Sequence, residues 1–526
     1  MATHPILVLQ MQRMGDMVLT FPLLGWLLAN FPGHPLWVIG EEKFFKPLMP
    51  ISPPAVYFQY GDTSALQSLR FHAVINLSHR AEAAHLAGSV ATDALFGPYI
   101  GKDGAQHIHG DWQIYRASLT HNNRFNRFHW ADLYGMGIVP AGQLQRTIWP
   151  PPRPFASKAR ALDNTPAGRA APLPPLEGKP DRQMGNFRVG LFLGASEAAK
   201  HPDAAFWAAL TRQLLHEGMR PVLLGGETEK PLGASVARAL KAPALNLCGH
   251  FSVASLCRFV SELDLLITPD TGPMHIAAWT GTPVVNLSLG PVNPWETGPF
   301  PPGHHVVRAD VPCLGCWQCT EKSPKCRESI TARHIGQIVR SLLENPQNPI
   351  LPDTVRGVQL FRTGRAASGL FSMQRLNPVA VPFPAVGASR IPGQAPVQAY
   401  GQSNSQIWDF SDLSNFWQHW FGQALHLFPA DGPLCATTAW NAFTHNTPHL
   451  AEHFVEAAST FMGLLASALK NPAPLLGDPH FWEQAPSLIR PLSGYCQMYA
   501  QNRNGSRPAL LHVLSLAEQL AQTIRA

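Results

Sequence analysis

Residues 264–286 read "DLLITPDTGPMHIAAWTGTPVVN". The unbroken apolar run after Asp264 is what a parallel strand covered on both faces requires. It stops at Pro269, and Asp270 or Thr271 stands where a helix N-cap belongs, with Pro273 tolerated in the first turn. A helix of small residues follows as far as Trp279, "TGTP" closes it, and "PVVNLSL" opens the next strand. Strand, helix and strand in so short a span make a right-handed parallel crossover. This unit predicts a doubly wound α/β sheet.

Working outward, the same rhythm fills the second half: "RVGLFLGAS", helix "DAAFWAALTRQLLHEG", strand "RPVLLGG", helix "KPLGASVARALK", strand "ALNLCG", helix "SVASLCRFVSEL" and then the opening stretch. The first half repeats it, with "ILVLQM", helix "DMVLTFPLLGWLLANF", then "PLWVIG", "AVYFQY" and "HAVINLS". Between the halves lies a proline-rich passage, "WPPPRPFASKARALDNTPAGRAAPLPPLEGKPD", read as a linker. The expected organisation is a first Rossmann-like domain over 1–150, a linker over 151–186 and a second Rossmann-like domain over 187–345. A loop segment over 346–402 and a helical module over 403–526 complete it. The module shows apolar residues at helical spacing in "SDLSNFWQHWFGQALHLF" and "HLAEHFVEAASTFMGLLASALKN". Its aromatic group Phe416, Trp417, Trp420 and Phe421 is expected in a helix core, with a membrane contact as the weaker reading.

The 526 residues carry a net charge of +6, with 50 prolines and only 14% charged residues. Five Lys/Arg against eight Asp/Glu follow Ala395, a net −3, so the preceding body carries +9. A mildly basic body suits an anionic small molecule. No dense Lys/Arg stripe with interleaved aromatics appears, so no nucleic-acid partner is expected. The N-terminus lacks a basic region followed by a cleavage site, and no apolar run reaches membrane-spanning length. The expectation is a cytoplasmic protein, peripheral at most to the inner membrane.

Four polar constellations punctuate the strand ends. In "PDTGPMHIAAW" the free N–H groups and macrodipole of a helix start make an anion seat. Gly272 permits close approach there, and His275 lies on the same face as Thr271. In "GASEAAKHPDAAFW" Ser196 ends a strand, and Lys200 is placed to neutralise a diphosphate. In "GGETEK" a glutamate beyond the Gly225-Gly226 turn is placed to grip ribose hydroxyls. In "QRMGDMVLTFPLL" Gly15-Asp16 aims a carboxylate from the opposite half into the cleft, where a general base belongs. Each has a plainer reading, as a helix cap, a solvated lysine or a simple turn.

Together, "RMGDMVLTFPLL", "KHPDAAFW", "GGETE", "TPDTGPMHIAAWTGTPVVNL" and "PVNPWETGP" resemble glycosyltransferase family 9, the ADP-heptose:lipopolysaccharide heptosyltransferases, over roughly residues 5–340. The resemblance implies a GT-B fold, two Rossmann-like domains facing across a cleft, here followed by a helical appendage. It implies inverting transfer of heptose from an ADP-heptose donor to a lipopolysaccharide core-type glycolipid at the inner membrane face, with no required cofactor. By position, Asp16 resembles the catalytic base, and Ser196 and Lys200 the diphosphate-binding pair. Glu229, or Glu227, resembles the ribose-holding residue, and Phe251 the adenine contact. Asp270, Thr271, Gly272 and His275 resemble the donor-binding turn, with Asp270 near the heptose. "MQRMGD" departs from members with small hydroxyl residues before Met-Gly-Asp, which leaves the acceptor open. Another nucleotide sugar, a different acceptor, or a binding protein that has lost turnover are the alternatives.

Cys313, Cys316, Cys319 and Cys326 form a C-x2-C-x2-C-x6-C array in "CLGCWQCTEKSPKC". The favoured reading is a structural loop, and a zinc or iron–sulfur site is the alternative.

Overall fold

The computed structural model describes residues 3–120, 122–144, 187–311, 324–346, 349–352, 354–377, 410–431, 434–468 and 478–526. The proline-rich linker and Cys313, Cys316 and Cys319 lie outside the described residues.

In the first sheet β1 (Ile6–Leu9) is flanked by β2 (Leu36–Gly40) and β4 (Arg70–Asn76). β3 (Val56–Gln59) lies beyond β2, and β5 (Ala91–Ile100) and β6 (Gln106–His109) lie beyond β4, giving the order β3-β2-β1-β4-β5-β6. All neighbours are parallel except the antiparallel pair β5 and β6. Ile6, Leu7, Val8 and Leu9 are all wholly buried, which explains an apolar run without alternation. The chain leaves β1 to one side and returns at β4 to the other, so the winding reverses between them. Such a reversal opens a crevice at the carboxyl ends of the strands.

The second sheet contains β7 (Arg188–Phe192), β8 (Arg220–Leu224), β9 (Leu265–Pro269), β10 (Val284–Ser288), β11 (His305–Ala309), β12 (Val358–Arg365) and β13 (Phe371–Arg375). Its order is β8-β7-β9-β10-β11-β12-β13, parallel as far as β11 and antiparallel beyond. Here the winding reverses between β7 and β9. Two sequence expectations change. Part of the segment read as loop over 346–402 is the hairpin β12–β13, whose register continues the sheet from β11. "ALNLCG" is no strand: it holds a short turn at Pro243–Leu245 and one bridge, Leu223 to Asn246.

The C-terminal module contains helices Ser411–Ala424, Ala436–Asn446, Pro448–Ala468, Arg490–Gln501 and Arg507–Arg525. Phe416, Trp417, Trp420 and Phe421 are at most 2% exposed, so they form the module's core and not a membrane face. Burying aromatic side chains of this size stabilises the fold by about 1.5–3 kcal/mol each. The same apolar cluster runs without a break into the first lobe through Trp112, Tyr115 and Phe128. Asn502 fastens the joint. Its Oδ1 accepts the N–H of Ile108 on β6 at 2.6 Å, and its Nδ2 donates to the Ile108 carbonyl at 2.8 Å. It thereby pairs with an edge strand that otherwise invites association. No helix among the described residues is long and apolar enough to cross a membrane.

Candidate active site

Asp16 lies in the first turn of the helix Met14–Asn30, which leaves the carboxyl end of β1 at the first sheet's reversal. Its Oδ2 accepts the Arg13 N–H at 3.2 Å, so it does cap the helix, as the plain reading holds. It has a second face. A Cβ added to the neighbouring Gly15 would lie 3.0 Å from Cδ2 of His275, and one added to Gly272 would lie 2.5 Å from Cε of Met14. The two glycines therefore mark where the first lobe's helix start meets the Asp270–His275 turn of the second. Burial pushes the Asp16 carboxyl above its ordinary range; the Arg13 backbone bond and the charges of Arg13 and Arg116 pull it back.

On the facing lobe, β9 delivers Asp270 and Thr271 to the start of the helix Gly272–Trp279. Thr271 occupies the N-cap, yet its side chain makes no capping bond and its hydroxyl lies 3.2 Å from that of Thr268. The ordinary cap is thus not what this residue supplies. Asp270 accepts a 2.8 Å hydrogen bond from the Thr297 hydroxyl. Burial pushes Asp270 up to about 6, against the Thr297 bond and the Lys200 charge, and the Asp16 charge adds to the rise. His275 is 3.9 Å from Asp270, and burial holds it down to about 4, so it is a neutral imidazole near pH 7.

Lys200 ends the short turn Ala198–Lys200 and is 21% exposed, with Nζ 2.8 Å from Glu197. Its charge reaches Asp270, which ties the loop after β7 to the turn after β9. Ser196 stands exposed in the same loop. Glu229 lies in the short turn Glu227–Glu229 after β8. Its Oε2 accepts the Gly226 N–H at 2.7 Å, and its Oε1 accepts the Thr228 hydroxyl at 2.8 Å. A Cβ at Gly194 would fall 2.4 Å from this side chain, so Glu229 sits against the end of β7. Glu227 instead faces solvent and pairs with Lys230 at 2.7 Å, and the geometry favours Glu229 of the two. Phe251 is half-buried, with its ring 4.6 Å from that of Phe259.

Structure also brings forward residues to which the sequence reading gave no role. Glu296, in the stretch "PVNPWETGP", is 5% exposed and spans the lobes. Asn123 Nδ2 donates to its Oε2 and Asn126 Nδ2 to its Oε1, both at 2.9 Å. Asn293 Nδ2 returns bonds to the carbonyls of Asn123 at 2.8 Å and Asn126 at 3.1 Å. His129 Nδ1 accepts the Ala131 N–H, so Nε2 carries the proton and donates to the Gly298 carbonyl at 3.0 Å. On another part of the contact, Trp279 Nε1 donates to the Ile51 carbonyl at 2.8 Å. The lobes are therefore fastened together, and the charge of Asp16 reaches Asp270 across the contact. The motif that holds Glu296 was a visible signal; the asparagines in "HNNRFNRFHW" carry no periodicity that would have marked them.

Of the four cysteines in the array, Cys326 is the one described, and it is buried in the second lobe's apolar core. No group of three or more His, Cys, Asp or Glu suited to a metal ion occurs among the described residues.

Residues 165–326 match the family model described as glycosyltransferase family 9 (heptosyltransferase). Lipooligosaccharide heptosyltransferase 2 of Campylobacter jejuni subsp. jejuni serotype O:2 is 29% identical over 164 residues, 30% of this chain and 51% of that protein. Lipopolysaccharide heptosyltransferase 2 of Escherichia coli K12 is 30% identical over 132 residues, 24% of this chain and 37% of that protein. The chain thus spans about half, or less, of the curated relatives it matches. Among solved structures, E. coli ADP-heptose lps heptosyltransferase II aligns over 65% of this chain and 99% of that one, at 20% identity and a TM-score of 0.47. The match falls on the lobe that carries Lys200, Glu229 and the Asp270–His275 turn, and it is this lobe that resembles glycosyltransferase family 9.

Proposed function

We propose that the protein is an inverting glycosyltransferase that moves heptose from ADP-heptose to a lipopolysaccharide core-type acceptor. One observation carries this reading: the Gly15-Asp16 helix start abuts the Gly272–His275 turn, so a carboxylate from one lobe faces the anion seat of the other. The resemblance of the second lobe to glycosyltransferase family 9 and the relatives named above support heptose as the sugar.

The second lobe holds the donor. Thr271, Gly272 and the first turn of the helix Gly272–Trp279 offer backbone N–H groups to the diphosphate, and Lys200 adds a positive charge. Glu229 is placed for the ribose, Phe251 for the adenine face, and Asp270 with His275 for the sugar. Asp16 takes the proton from the acceptor hydroxyl as its oxygen attacks the anomeric carbon from the side opposite the departing ADP. The new C–O bond inverts that carbon. Lys200 and the helix start stabilise the charge that grows on the leaving diphosphate. The acceptor, a glycolipid, approaches from the first-lobe side.

Asp16→Ala is expected to lower turnover by about 10²–10⁴-fold while leaving ADP binding, measured by calorimetry, unchanged. Transfer from ADP-heptose to a heptose-free lipopolysaccharide at the wild-type rate in this variant would end the assignment.

A further inference from the structure

Thr297 ends the short helix Pro294–Thr297 in "PVNPWETGP" and is half-buried. Its Oγ1 donates to Asp270 Oδ2 at 2.8 Å. Asp270 follows β9 and Thr297 lies in the segment after β10, so the bond joins two loops at the carboxyl edge of the second sheet. The other carboxylate oxygen, Oδ1, lies 3.9 Å from Nε2 of His275, whose ring abuts Gly15 of the first lobe. A hydroxyl orients a carboxylate only if the hydroxyl is itself held. Here its neighbours hold it. The Arg127 guanidinium lies 3.9 Å from the centre of the Trp295 ring. Glu296 accepts the Asn123 and Asn126 amides, Asn293 donates back to both carbonyls, and the Gly298 carbonyl accepts from His129. Phe300 stacks on His129 with ring centres 4.5 Å apart. These partners all come from residues 123–129 of the first lobe. The segment 293–300 is thus pinned on either side of Thr297, and Thr297 reaches from it to the donor turn.

We propose that Thr297 is a positioning residue that acts through Asp270: its hydroxyl fixes one carboxylate oxygen, so that the other accepts a hydroxyl of the donor's sugar. The proposal rests on Asp270 contacting the heptose, and it goes beyond that reading by assigning what orients the contact. Its signature is an effect confined to the sugar. ADP has no sugar beyond its diphosphate for Asp270 to reach, so the Thr297 hydroxyl adds nothing to ADP affinity. ADP-heptose does have one, and a carboxylate free to turn away loses most of that hydrogen bond. A hydroxyl that merely satisfied a buried carboxylate would instead act on the whole lobe, and hence on both ligands alike.

The test compares the calorimetric affinities of ADP and ADP-heptose in the absence of acceptor. Thr297→Val keeps the shape of the side chain and removes its hydroxyl. Its ADP-heptose affinity is expected to fall about tenfold, with ADP affinity unchanged as the sign of an intact second lobe. The kcat/KM of heptose transfer is expected to fall by at least the same factor. Thr297→Ser, which restores the hydroxyl, is expected to recover most of the loss. In Asp270→Ala the sugar contact is already gone, so adding Thr297→Val is expected to cost nothing further. An equal loss for ADP and ADP-heptose overturns the proposal, because the role is then structural. Wild-type ADP-heptose affinity in Thr297→Val overturns it too, as does a full tenfold loss on top of Asp270→Ala. Should Asp270→Ala itself keep wild-type ADP-heptose affinity, the proposal falls with its premise, while the proposed transfer reaction stands or falls separately on Asp16→Ala.

Discussion

Replacing Glu296 by glutamine isolates one carboxyl that joins the two lobes. Burial pushes Glu296 up from 4.5 to about 8, against the Asn123 and Asn126 bonds, and Asp270 adds to the rise. A folded-state value above the unfolded one means that the stabilising contribution is complete below pH 4.5. It is lost progressively as pH rises to about 8, because the unfolded chain releases the proton first. At 1.36 kcal/mol per pH unit that interval amounts to about 5 kcal/mol. Glutamine never releases a proton, so the variant gains on the wild type by up to that amount between pH 5 and 8.5. Its amide is also accommodated. Asn123 Oδ1 is buried with no hydrogen-bond partner, and turning the Asn123 amide places that oxygen where the N–H₂ of the introduced glutamine donates. Nearby His129 and His275, both held neutral by burial, lose stability only on the acid side and in both proteins alike. Urea denaturation at half-unit pH steps gives the comparison. Parallel stability curves for Glu296→Gln and wild type would refute the argument, as would a gain that grows toward acid.

Other outcomes follow from single contacts. Asp16→Ala is expected to lose turnover with ADP binding intact, read as described above. Gly194→Ala puts a Cβ 2.4 Å from Glu229, whose flexible side chain must swing away. ADP affinity is then expected to fall about tenfold, as in Glu229→Ala, since a hydrogen bond to a charged group is worth about 1.5–3 kcal/mol; calorimetry showing unchanged affinity in both would remove Glu229 from the donor site. Asn502→Ala removes both bonds to Ile108. A loss of about 1–3 kcal/mol in denaturation, with faster proteolysis of the C-terminal helices, is expected; an unchanged profile would show that apolar packing alone holds the module.

Much of the candidate site was legible because strand ends are punctuated locally. Asp16, Lys200, Glu229 and the Asp270–His275 turn each follow an apolar run, and turn chemistry is written in neighbouring residues. The helix Gly272–Trp279 and the strands on either side of it were readable for the same reason. The hairpin β12–β13 was not, because an edge pair extending an existing sheet needs only short segments, here "VQLFRTGR" and "FSMQR", with little periodicity. "ALNLCG" failed in the other direction: an apolar hexamer looks like a strand, but Pro243 starts a turn there instead.

The sequence by itself determined two wound α/β halves and the residue types waiting at the carboxyl ends of their central strands, since these depend on period and on turn residues close in the chain. Only tertiary structure decided that Gly15 meets His275, that Glu296 receives Asn123 and Asn126, and that the helical module shares the first lobe's core. The reason is physical. Those pairings join positions from 170 to 394 residues apart in the chain, and their energies come from burial and missing solvent, which no local window of residues contains.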